Sequence, residues 1–78
     1  MITLKMTALL AKRARSKAQE VEVEFRPGLS VEQLIAAEGF EGADAEAITA
    51  VVNGETAPVG HALSDGDTVE LLVGIAGG

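Results

Sequence analysis

Hydrophobic and polar positions alternate at the start of the chain. Ile2, Leu4 and Met6 are separated by Thr3, Lys5 and Thr7, the period-two pattern of a half-buried strand. The pattern dissolves in "ALLAKRARSKAQ", rich in helix formers and cations, which reads as a long connection with room for one helical turn. A second alternation follows in "EVEVEF": Val21, Val23 and Phe25 share one face, and Glu20, Glu22 and Glu24 the other. So sharp a contrast between faces implies one solvated sheet face, and hence antiparallel pairing of these two segments as a hairpin.

The period then changes. After the Pro27-Gly28 turn, Ser30 is placed as an N-cap with Gln33 three residues on, the spacing of a capping box. Val31, Leu34 and Ile35, with Phe40 beyond them, mark the apolar stripe of a short helix running to about Glu38, and Gly39 is placed to end it. "EGADAEA" is an acidic loop or a weak helical turn. "ITAVVNGETAP" reads as a strand, an Asn53-Gly54 turn and a short return strand ended by Pro58. A turn at Asp65-Gly66-Asp67 leads to a last strand, in which Val69, Leu71 and Val73 face one way and Leu72 and Ile75 add apolar surface. One helix on one face of a mixed sheet of four to five strands is an α+β layout in a single domain, residues 1–78.

Composition narrows what this domain can do. With 78 residues there is no room for a second core, and with no cysteine there is neither a disulfide nor a thiolate. Phe25 and Phe40 are the only aromatics, so Leu, Ile, Val and Ala must form the core. The net charge is −6, and it is unevenly distributed. Lys5, Lys12, Arg13, Arg15 and Lys17 precede residue 18, while all twelve acids come later with only Arg26 among them. This argues against nucleic-acid binding, which needs a broad basic face and aromatics for base stacking. The basic stretch reads as a solvated loop, with an electrostatic dock for an acidic partner as the functional alternative. Lys5 interrupts any signal-peptide core, and no apolar run approaches the ~20 residues of a membrane span, so a soluble, cytoplasmic protein is expected.

Side-chain chemistry is sparse. His61 is alone and reads as a surface histidine, without partners for a metal site. The Asp65 and Asp67 loop lacks the ligand spacing of a calcium site, and both carboxylates are expected to bond backbone amides and fix the turn. Ser16, Ser30 and Ser64 have no histidine placed beside them as a base. No catalytic or metal-binding residues are assigned. What remains is the terminal "GIAGG", a pair of glycines expected by chance in roughly 0.5% of chains. Lacking Cβ atoms, Gly77 and Gly78 suit a narrow channel. If extended, the five residues reach roughly 16 Å, enough to carry the Gly78 carboxylate into another protein's site.

Three stretches together, "VVNGE", "LSDGDTVELL" and the closing "IAGG", resemble the β-grasp sulfur-carrier proteins related to ubiquitin, and the resemblance covers essentially the whole chain. That family includes the small subunit of molybdopterin synthase and the sulfur carrier of thiamine biosynthesis. The resemblance implies a non-catalytic co-substrate that binds no cofactor. An adenylyltransferase related to ubiquitin-activating enzymes would use ATP to adenylate the Gly78 carboxylate, and a persulfide donor would convert it to a thiocarboxylate. Sulfur would then pass within a synthase, either the molybdopterin synthase large subunit or thiazole synthase. Gly77 and Gly78 would be the sulfur-carrying terminus, and Leu71, Val73, Ile75 and Ala76 would contact partners. The long first connection is similar to the molybdopterin type, and the "IAGG" ending to the thiamine type. Val73-Gly74 stands where the former commonly has Pro-Pro, and overall layout favours the molybdopterin side. A ubiquitin-like modifier joined to lysines through Gly78 shares the first step. An interaction module with an incidental Gly-Gly is the third reading.

Overall fold

The two alternating segments pair as their patterns require. In the computed structural model, which describes residues 1–73, β1 (Ile2–Met6) lies antiparallel to the strand Glu20–Val23, with Leu4 opposite Val21. The connection between them contains more helix than expected: α1 (Ala8–Arg13) is capped by the Thr7 side chain and buries Leu10 and Ala11. Its cations stay in solvent, as a solvated stretch predicts, while Ala14 is fully buried. Glu20–Val23 is β2.

The capping box is present. Ser30 Oγ accepts from the Gln33 amide and Gln33 Oε1 accepts from the Ser30 amide, which starts α2 (Val31–Ala37). Gly39, at φ +89°, ends the helix in the left-handed region that favours glycine. Val31, Leu34 and Ile35 face inward and are all buried, the i, i+3, i+4 stripe of an amphipathic helix. The acidic stretch makes one weak turn, α3 (Ala43–Glu46), with no side-chain cap.

Asn53 and Gly54 adopt φ +52° and +86°, the positive pair required by a two-residue hairpin turn between β3 (Ile48–Val52) and β4 (Glu55–Ala57). The last strand, β5 (Thr68–Val73), inserts at the centre of the sheet, in the order β2-β1-β5-β3-β4. It runs parallel to β1, with Leu4 opposite Val69, and antiparallel to β3, with Ala50 opposite Leu71. Parallel neighbours need a crossover, and the chain carrying α2 provides it over one face. Ile2, Leu4, Met6, Ile48, Ala50, Val52, Val69 and Leu71 are buried on that face, with Leu29, Phe40 and Leu63 closing the core. The opposite face shows Lys5, Glu20, Glu22 and Glu70 to solvent and half-buries Val51 and Leu72.

Two features lay outside the sequence reading. Glu38 is the only buried charged side chain among the described residues. Its Oε1 accepts from the Ser16 amide at 2.9 Å and its carbonyl accepts from the Arg15 amide at 2.9 Å, tying the basic loop to the end of α2. Asp65 departs from expectation: its carboxylate receives the Met1 ammonium group, whereas Asp67 alone bonds the turn.

Candidate functional site

The stretches "VVNGE" and "SDGDTVELL", 14 residues apart in sequence at Asn53 and Asp67, form one clamp. Gly66, at φ +94°, lets the chain reverse so that Asp67 Oδ2 accepts from the Ser64 amide at 2.8 Å. Asp67 Oδ1 accepts from Asn53 Nδ2 at 2.8 Å, and Asn53 Oδ1 accepts in turn from the Thr68 amide at 2.9 Å. The Asn53 amide donates to the Thr68 carbonyl at 2.8 Å. Bonds from the Ser64 amide and then from Asn53 stabilise the charged form of Asp67 and hold its carboxyl below the ordinary value of 3.8. The first residue of β5 is thus held by side chain and backbone together.

From this clamp β5 runs between two strands to Val73, paired with Ile48. Val73 is half-buried beside Leu10, Phe40 and Ile48. The chain therefore reaches its last described residue on a strand fixed at both ends, a firm base for whatever the following residues carry. Ile75, Ala76, Gly77 and Gly78 of the expected site lie outside the described residues.

The structure corrects the role given to Leu71. It is 0% exposed, packed between β1 and β3 beneath the helices, so its side chain serves the core and is closed to a partner. Period-two alternation turns Leu72 to the open face instead, where it lines a groove of ≈ 340 Å³ with Lys5, Thr7, Gln19, Glu20 and Glu70. The sequence contained the signal for this swap. Val69 and Leu71 continue the apolar parity of β1 and β3, and the intervening Glu70 shows which parity faces water.

Ser30 caps α2, the Ser64 amide is bound by Asp67, and the Ser16 amide by Glu38. His61 is exposed, with its amide on the Pro58 carbonyl. Among the described residues no group of three or more His, Cys, Asp or Glu side chains could hold a metal ion. None of their helices is long and apolar enough to cross a membrane.

No curated protein matches the chain. Among solved structures, SAMP1 from Haloferax volcanii superposes with a TM-score of 0.73 at 27% identity, over 99% of this chain and 98% of that one. Another structure, of H. volcanii small archaeal modifier protein 1, gives 0.74 at 26% identity over 95% and 97%. A putative molybdopterin converting factor, subunit 1, from Pyrococcus furiosus gives 0.71 over 95% and 97%, and at 23% identity this shows the fold alone. The arrangement is the β-grasp of ubiquitin-like proteins. The profile of the ThiS family matches residues 8–78, which takes in α1, the clamp, β5 and the closing glycines, and the chain belongs to that family.

Proposed function

We propose that the protein is a sulfur carrier whose working group is the Gly78 carboxylate. The observation that carries this reading is that the family match runs through residue 78 and so takes in Gly77 and Gly78. The clamped β5 strand supports it by providing a rigid base for the terminal residues. The polar side chains of the clamp, Asn53 and Asp67, hold the turn that starts β5, and the backbone carboxyl is taken as the reacting group.

A carboxylate is a poor electrophile. Attack of its oxygen on the α-phosphorus of ATP, within a partner adenylyltransferase, expels pyrophosphate and leaves an acyl-adenylate. A persulfide then attacks the acyl carbon and AMP departs. A thiol opens the resulting acyl disulfide, releasing the thiocarboxylate and forming a disulfide on the donor. The loaded carrier delivers sulfur to a cofactor precursor within a synthase. All side-chain catalysis belongs to the partners, and this chain is their co-substrate. Val73, Ile75 and Ala76, together with the open face around Leu72, are the proposed partner contacts.

The test is adenylation with the host's activating enzyme and ATP, followed by a persulfide donor and intact-mass analysis. The wild-type chain gains the mass of one oxygen-for-sulfur exchange. Removing Gly78 or extending the chain beyond it abolishes the exchange, and Gly77→Ala slows it without altering the fold. Undiminished exchange in the truncated chain would overturn the proposal.

A second reading has its own support. The similarity to SAMP1, at 27% identity over 99% of this chain, favours a protein modifier joined through Gly78 to a lysine amine. Both readings pass through the adenylate and differ in the nucleophile that follows, a persulfide or an amine.

A further inference from the structure

The charge of this chain is sorted, with five of six cations before residue 18 and all twelve acids after it. The fold converts it into two patches on the helical side. On α1, Leu9 is 62% exposed, more than any other large apolar side chain among the described residues. Lys12 and Arg13 follow it at i+3 and i+4 and so share its face of the helix. Across α2 and α3 lies an open groove of ≈ 430 Å³, lined by Ile35, Ala36, Phe40 and Ala45, with Val59 beside them at 48% exposure. Glu32, Glu41 and Glu46 line the same groove and are exposed.

An apolar groove among glutamates is complementary to an apolar side chain flanked by cations. Leu9 with Lys12 and Arg13 has that chemistry, yet its own groove does not receive it, since Leu9 stays largely in solvent. The two patches are contiguous. Arg13 Nη2 lies 3.4 Å from Asp44 Oδ2, and Phe40 lines both the groove and a small cleft of ≈ 60 Å³ that touches Leu10, Arg13 and Val73. Complementary patches side by side on one face suit a two-fold dimer, because each contact is then made twice.

We propose that the occupant of the groove is a second copy of this chain, in a weak two-fold dimer that sets α1 of each copy into the α2–α3 groove of the other. Leu9 and Val59 leave solvent, and Lys12 and Arg13 meet Glu41 and Glu46 across the interface. Patches this small fall in the class below about 1,200 Å² of buried surface, where association is transient. The net charge of −6 on each copy opposes dimerisation while the local charges favour it. Salt moves both effects at once, whereas the two charge reversals shift the net charge in opposite directions, to −10 and −2, and are expected to break the same local contact.

Sedimentation equilibrium of the full chain, from about 5 µM to about 1 mM, is expected to show the average mass rising from 8.0 kDa toward twice that value. Lys12→Glu with Arg13→Glu makes α1 acidic against an acidic groove, and Glu41→Lys with Glu46→Lys makes the groove basic against a basic α1. Each double variant is expected to stay monomeric. An equimolar mixture of the two restores both contacts and hence the dimer. All four positions are exposed, and circular dichroism of each variant confirms that it is folded. A single 8.0 kDa species at every concentration overturns the proposal, as does self-association by either folded variant, or a mixture that stays monomeric.

Discussion

Replacing Leu71 by alanine separates its two possible roles, core residue and partner contact. The side chain is 0% exposed on the central strand, opposite Met6 on one side and Ala50 on the other. Truncation removes transfer free energy and leaves a cavity, together about 2–5 kcal/mol for Leu→Ala. Strands on both sides of β5 restrict collapse into the gap, which places this site in the upper half, about 3–5 kcal/mol. A domain of 78 residues has roughly 4–12 kcal/mol in all, so the variant loses much of its stability. At about 4–8 °C per kcal/mol, the melting temperature falls by at least about 12 °C. Leu72→Ala, next in sequence but half-buried on the open face, is the matched control and costs about 1 kcal/mol. The assay is urea unfolding followed by circular dichroism, with both midpoints taken at unchanged slope. Equal losses for the two variants, or a Leu71→Ala loss below about 1 kcal/mol, would refute the burial argument.

Other outcomes follow from the turns and the clamp. Gly39 sits at φ +89° with open space where a Cβ would go, so Gly39→Ala costs about 1–2 kcal/mol from backbone conformation alone. Gly60 has the same open space without a positive φ, and Gly60→Ala leaves stability equal or up to about 1 kcal/mol higher. Urea midpoints that rank the two the other way would contradict this. Asp67 is held below its ordinary value of 3.8, so its stabilising contribution is complete above that pH and is lost as pH falls through the lower folded value. The stability gap between wild type and Asp67→Asn is therefore constant from pH 6 to 8 and narrows below about pH 4. A gap independent of pH down to acid unfolding would show that the carboxylate charge is not what the clamp uses.

Much of this fold was legible because its strong elements satisfy two levels of constraint at once. Ile2, Leu4 and Met6 alternate and also pair; Ser30 and Gln33 fit a capping box and also start the stripe of Val31, Leu34 and Ile35. Less legible were features set by distant partners. The six residues of α1 are too few to form a stable helix alone, and burial of Leu10, Ala11 and Ala14 holds them. The carboxylate of Glu38 is buried because the Ser16 amide, 22 residues earlier, meets it. Asp65 and Asp67 look equivalent in sequence, but only Asp67 faces Asn53 across the turn. For the site, two of the three stretches that carried the family resemblance proved to be the halves of one clamp, and the third lies outside the described residues. The parity of Leu71 and Leu72 was readable from Glu70 but yielded to the expectation that the last strand faces a partner.

The central claim is that the chain works through its terminal carboxyl as a sulfur carrier. Intact-mass analysis of the protein isolated from its host under sulfur-replete growth tests it most directly. The account predicts a fraction of free chain with one oxygen replaced by sulfur, with fragmentation placing the exchange at Gly78. Free chain bearing only the carboxylate, with the remainder attached to lysines of other proteins, would contradict the sulfur-carrier reading and establish the modifier in its place.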